Sequence, residues 1–189
     1  MHALAAPDRP SHARAQDAAA LVSALLAGVL LVAGWYAIGA DRPMYAAVVA
    51  GTTLPLGAFT GDAVARRLPE SWVQVSSTEL TWHRRLGVGP FARLLGLIGW
   101  NRVVAGMRDF DGTRAGLPRL DRAVRGSLAG HGTGLHVHVV LSVIALPAGH
   151  PWGSLWIVLA GLPLHLWPML LQRSTLWRLQ KLRTAARTG

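Results

Sequence analysis

Four histidines stand where the sequence is otherwise apolar. His136 and His138 open the stretch GTGLHVHVVLSVIALPAG, residues 132–149, His131 just precedes it, and His165 lies within GLPLHLWPMLLQR. An ionisable side chain at membrane depth is costly, so each one is a functional candidate to be weighed against packing. Three chemistries suit an imidazole. It can take a proton from a hydroxyl nucleophile, because one ring nitrogen is basic near neutral pH. Three histidines and a water can hold zinc, but these positions follow no known ligand spacing, and His136 and His138 fall on opposite faces of a helix. Two histidines at matched height can ligate a haem. The plain alternative is hydrogen-bonded packing, which suits His138 and His150 best, while His2 and His12 belong to a tail. Acid–base work by His136 and His165, with no metal and no cofactor, is the expectation carried forward.

The surroundings of His165 favour a polar pocket. Pro163 and Pro168 flank it. Each proline lacks a backbone donor and so frees a carbonyl one turn earlier, at Leu159 and Leu164. Loosened backbone at membrane depth is tolerated where it is buried in protein or lines a wet cavity.

These residues need elements to hold them, and composition points to membrane helices. The chain has 189 residues, 51% of them hydrophobic, yet its formal net charge is +10. The length allows one domain or one small helical bundle. The basic residues, 18 Arg and one Lys, cluster outside the apolar runs. That pattern excludes a nucleic-acid binder, which would carry a recognition motif beside its charge. With no Cys there is neither a disulfide framework nor a thiolate site.

Residues 18–40 are uncharged and long enough to cross a bilayer. Arg9 and Arg14 precede them as in a signal peptide, but the run is too long and Ile-Gly-Ala is no clean cleavage site, so it reads as an uncleaved span. A second span covers Met44 to Gly61, with Pro55 as a kink and Gly57 and Gly61 as a small-xxx-small pair for close helix approach. Residues 126–172 contain no Asp, Glu, Lys or Arg. The PAGHPWGS turn divides them into spans at 134–149 and 154–171. The expected fold is an all-α integral membrane protein with about four transmembrane helices. Its parts are a tail (1–17), a hairpin (18–65), a basic interfacial segment (66–133), a second hairpin (134–171) and a basic tail (172–189).

Arginine counts set the orientation. The segment from Arg66 to Thr133 carries eleven Arg against five acids, and the PAGHPWGS turn carries none. The positive-inside rule then places both termini and the middle segment on the cytoplasmic side of the membrane. Trp35, Tyr36, Tyr45, Trp152 and Trp156 form the outer aromatic belt. Within the middle segment, Leu117, Leu120, Val124 and Leu128 share a helical face opposite Arg119, Arg122 and Arg125, as in an amphipathic helix lying on anionic lipid. PFARLLGLIGWNRVVAG reads as an interfacial or re-entrant piece.

Over residues 79–182 the chain resembles the glycosyl-4,4'-diaponeurosporenoate acyltransferase family of carotenoid-glycoside biosynthesis. The likeness rests on HRRLGVGPF, a His opening the third span, and HLWPMLLQRSTLWRL closing the fourth. The family pattern has Glu-x-x-His-Trp at the helix start, then Asn-x-(Tyr)-Pro and Gln-Arg-Tyr-Asn-Arg-x-Arg-Leu. His136 falls on the family His, and Pro168, Gln172, Arg173, Arg178 and Leu179 fall in register. Thr133 replaces the family Glu, Val137 the Trp, His165 the Asn, and Ser174-Thr175-Leu176 the Tyr-Asn-Arg. The resemblance implies acyl transfer to a hydroxyl of a glycosylated or other lipid. His136 would be the base, and His165 or Gln172 would hydrogen-bond the oxyanion. Arg84, Arg85, Arg173 and Arg178 would bind the anionic head of the acyl donor. Loss of the family carboxylate favours the alternative, a non-enzymatic membrane protein that binds anionic lipid or a partner protein. A transporter has no intramembrane carboxylate to couple with. Four short spans leave surface for a second copy or a partner membrane enzyme.

Overall fold

In a computed structural model, residues 9–108 and 110–188 are described, apart from the side chains of residues 9–11, 107 and 186–188. His2 and the side chains of Arg9 and Arg187 therefore lie outside the described residues. The described residues are mostly helical, with no strand among them, and four of the helices are long and apolar enough to cross a membrane. The protein is an all-α membrane protein.

The first hairpin is α1 (Arg9–Ile38) and α2 (Pro43–Ala65). Helix α1 starts well before its apolar run, because the alanine-rich lead-in propagates helix readily. Its Leu21, Leu25, Val29 and Val32 point away from the protein, as the lipid-facing side of a span should. The two helices are joined through Tyr45, whose buried hydroxyl donates to the Leu31 carbonyl at 3.1 Å. Helix α2 runs unbroken through Pro55, so this segment is long enough to cross.

Helix α7 (Leu117–Ala145) packs on α2 at very short range. A Cβ at Gly57 would strike the Gly130 carbonyl, one at Gly130 the Gly57 carbonyl, and one at Gly61 the Gly126 carbonyl. The small-xxx-small pair of α2 thus meets a second one on α7, with backbones in direct contact.

Residues 117–145 form one helix, which runs unbroken past 133. Its Gly126 and Gly130 are points of contact with α2. One expectation about the middle segment is corrected here: Leu120, Val124 and Leu128 face protein rather than a lipid leaflet. They are buried with Val73, Val75, Leu176 and Leu179. A partner exists because the fourth span continues past its apolar part and supplies the covering side chains.

That continuation is α8 (Pro151–Gly161), a π-helical stretch (Leu162–Leu166) and α9 (Trp167–Thr188). The π turn falls between Pro163 and Pro168, where missing amide donors have loosened the helix.

Four short helices fill the basic segment between α2 and α7: α3 (Glu70–Val73), α4 (Ser77–Arg85), α5 (Val88–Leu97) and α6 (Trp100–Met107). Ser76 caps α4 by accepting from the Glu79 amide at 3.2 Å. Gly87 and Gly99 adopt φ of 80° and 76°, which lets the chain turn sharply into α5 and α6. Leu94, Leu97, Ile98 and Val103 stay exposed on these two helices, an apolar face of the kind the interfacial reading requires.

Candidate active site

Two polar centres emerge, one inside the bundle and one at the end where α4, α5 and α9 meet. Inside, His138 and His165 are each only 1% exposed and share one hydroxyl. Thr53 Oγ1 lies 2.9 Å from His165 Nε2 and 3.3 Å from His138 Nε2. His138 Nδ1 donates to the Ile157 carbonyl at 2.7 Å, so a neutral ring carries no proton on Nε2. The Thr53 hydroxyl is in reach of that bare nitrogen and of the Val49 carbonyl, at 2.9 Å. His165 Nε2–H then donates to the Thr53 oxygen, and His165 Nδ1 is left buried without a partner. The His131 ring centroid is 5.7 Å and the His138 centroid 5.1 Å from that of His165. Gly134 and Gly161 make room, since a side chain at either would run into the ring of His165 or His138.

The structure therefore gathers His131, His138 and His165, not His136 and His165. His136 is exposed on the far side of α7 and does not meet His165. Positions 136 and 138 lie on opposite faces, and only the face at 138 turns toward α8 and α2. Among the described residues no three His, Asp or Glu side chains converge as metal ligands. Thr133 bonds back to the Ala129 carbonyl of its own helix at 3.0 Å.

The second centre contains the carboxylate–imidazole pair that α7 lacks. Glu79 and His83 are four residues apart on α4, hence on one face, and His83 Nε2 lies 3.1 Å from Glu79 Oε1. On the other side of the ring, His83 Nδ1 lies 3.1 Å from Ser174 Oγ on α9. His83 is 3% exposed. Hydrogen bonding from the Arg173 guanidinium holds the Glu79 carboxyl below the usual carboxylate range, so it is ionised and only accepts. Burial pushes the His83 imidazole below its ordinary value, against the pull of Glu79. A neutral ring facing a carboxylate carries its proton on Nε2, and Nδ1 presents its lone pair to the Ser174 hydroxyl. In the resting arrangement that hydroxyl also reaches the Leu170 carbonyl at 3.0 Å.

Ser174 and His83 open onto a cleft of about 400 Å³. Leu80, Val88, Leu171 and Trp177 give it an apolar floor, and Arg84 and Arg178 stand at its edge with no acid among the lining residues. Val88 and Gly89 begin α5, whose N-cap Gly87 makes no side-chain cap; the first amides of a helix have no partner within it.

The expected binding residues divide accordingly. Arg84 and Arg178 line the cleft. Arg85 instead stacks over Trp82, with its guanidinium 5.2 Å from the ring centroid. Arg173 is committed to Glu79 and to the Trp72 and Gln74 carbonyls. Gln172 is buried, donates to Ser127 at 2.9 Å and accepts from Arg108 at 3.5 Å. Glu79, His83, Ser174 and Thr53 are the residues that sequence reasoning missed. The first two carry a readable signal, Ser-x-x-Glu-x-x-x-His, which is a helix cap followed by an acid and an imidazole on one face.

Fold and site together define a membrane-spanning helical protein with a Glu–His–Ser relay beside a basic, apolar-floored cleft. No family model, no curated protein and no solved structure matches the chain.

Proposed function

We propose that the protein is a bacterial inner-membrane acyltransferase, with termini and cleft on the cytoplasmic side, that moves an acyl chain to a hydroxyl of a glycosylated or other lipid. The observation that carries this reading is the Glu79–His83–Ser174 chain of contacts at the edge of the cleft. Nucleophile, base and orienting carboxylate are each within hydrogen-bond reach of the next. The resemblance to carotenoid-glycoside acyltransferases supports the reaction class, and the arginine-rich cytoplasmic segment supports the orientation.

Ser174 Oγ attacks the acyl carbonyl while His83 Nδ1 takes the hydroxyl proton, and Glu79 steadies the imidazolium through Nε2–H. In this cycle the Val88 and Gly89 amides at the start of α5 donate to the oxyanion. The bond to the leaving group breaks, His83 returns the proton to the leaving oxygen or sulfur, and acyl-Ser174 remains. An acceptor hydroxyl then attacks this ester, losing its proton to His83. Collapse releases the acylated lipid, and the proton passes to Ser174. No part of the cycle requires a cofactor.

A second reading draws on Arg173. This guanidinium ties Glu79 to α9 and to the α3–α4 turn, so the same contacts would staple the basic segment to the bundle in a non-enzymatic protein that binds lipid or a partner. Lipid mass spectrometry on a deletion strain separates the two. The enzymatic reading predicts that one lipid class loses an acyl chain, that wild type and His136→Ala restore it, and that Ser174→Ala does not. Unchanged lipids in the deletion strain favour the staple.

A further inference from the structure

We infer that the acyl donor is a glycerophospholipid drawn sideways from the surrounding leaflet, an inference that rests on the acyltransferase reading above. The lining of the cleft has two chemical halves. Arg84 and Arg178 present guanidinium groups, and neither makes an ion pair among the described residues. With no acid in the lining, and Glu79 behind His83 already paired with Arg173, an anion of phosphate type is attracted there. Leu80, Val88, Leu171 and Trp177 form the other half and suit a hydrocarbon chain. Ser174 lies among them. Its position matches the chemistry of an ester carbonyl, which joins the polar head to the chain in a glycerophospholipid.

The direction of entry follows from α5. Leu94, Leu97 and Ile98 on that helix are 52%, 85% and 65% exposed, an apolar edge that is stable only in lipid. A chain leaving the cleft along this edge stays in hydrocarbon throughout. A lipid of the leaflet already holds its chain in hydrocarbon and brings it to the same floor without a passage through water, as a soluble acyl thioester does not. The step balances with a membrane donor. Ser174 Oγ forms an ester to the acyl carbon and its proton goes to His83; the bond from that carbon to the glycerol oxygen breaks, and this oxygen takes the proton from His83 and leaves as a lysophospholipid hydroxyl.

The test uses the purified full chain reconstituted in vesicles of phosphatidylglycerol and phosphatidylcholine, with intact-protein mass spectrometry after acid quench. The expected result is an acyl mass on Ser174 and lysophospholipid in the lipid extract, from vesicles alone. Arg84→Gln and Arg178→Gln should each raise the phospholipid concentration for half-maximal acylation about tenfold or more, as loss of a charged contact does. Arg85→Gln, outside the cleft, should leave it unchanged. Acylation that appears only when acyl-coenzyme A is added overturns the phospholipid donor and leaves the acyltransferase reading standing. Absence of acylation with both donors, in protein that retains its helical circular dichroism, overturns the acyltransferase reading itself.

Discussion

Ser174 and His83 are 91 residues apart in the chain, yet the serine hydroxyl lies 3.1 Å from the imidazole Nδ1. The contact exists because α9 continues beyond its apolar half and runs alongside α4. Without that extension the serine would have no base, and the cleft no polar wall.

Loss of the base or the nucleophile should remove activity while leaving the fold intact. His83→Ala and Ser174→Ala should each lower kcat by about 10²–10⁴-fold, the usual contribution of positioned proton transfer. Turnover of a lipid substrate in vesicles, with circular dichroism as the folding control, measures this. Arg173→Ala is expected to lower kcat as well, because it frees Glu79 from the hydrogen bonds that hold its carboxylate toward His83.

The pH profile has a definite sign. His83 works as a base only when neutral, and burial lowers its value below 6.5. Activity should therefore hold through neutral pH and fall only when the pH drops below that figure. Glu79→Gln removes the carboxylate that opposes the shift. It should move the acid limb lower still and reduce the plateau, because the Nε2 proton is no longer fixed. A limb above the ordinary imidazole value in the wild type would contradict the assignment of the base.

Much of this architecture is legible in the sequence, and the reasons differ from element to element. The four spans are visible because lipid permits only long uncharged helices. Gly57 and Gly61 announce a close helix approach, but they cannot say that Gly126 and Gly130 receive it. Hydrogen-bonded packing, the reading that suits His138 in sequence, fits its place against Ile157 and Thr53. His136 and His138 are equivalent in composition, and only the direction of packing distinguishes the exposed one from the buried one. The Glu79–His83 spacing was open to reading, but nothing local connects it to Ser174.

The intramembrane centre should contribute to stability and respond to single atoms. Thr53→Val keeps the shape but removes the hydroxyl, leaving His138 Nε2 and His165 Nε2–H unpaired. The cost is about 1–3 kcal/mol. His136→Ala, on an exposed face, should fall within about 0.5 kcal/mol of wild type. Thermal unfolding in detergent compares the two, and equal effects would mean that His138 and Thr53 are not joined as described.

Backbone contact between α2 and α7 leaves no space for a side chain. Gly130→Val should force the helices apart at Gly57 and cost at least about 1–3 kcal/mol, with loss of folded protein in membranes. Gly132→Ala, where a Cβ meets nothing within 4 Å, should be tolerated. Size-exclusion profiles of the two variants in detergent are the simplest comparison.

The most direct measurement is active-site labelling of the purified protein with a fluorophosphonate, read by peptide mass spectrometry. The account predicts a phosphonate on Ser174 in the wild type, absent in His83→Ala and unaffected in His136→Ala. A wild-type protein that is folded and inert toward the reagent, or one labelled equally well without His83, would contradict the claim that Glu79, His83 and Ser174 form a working nucleophilic site.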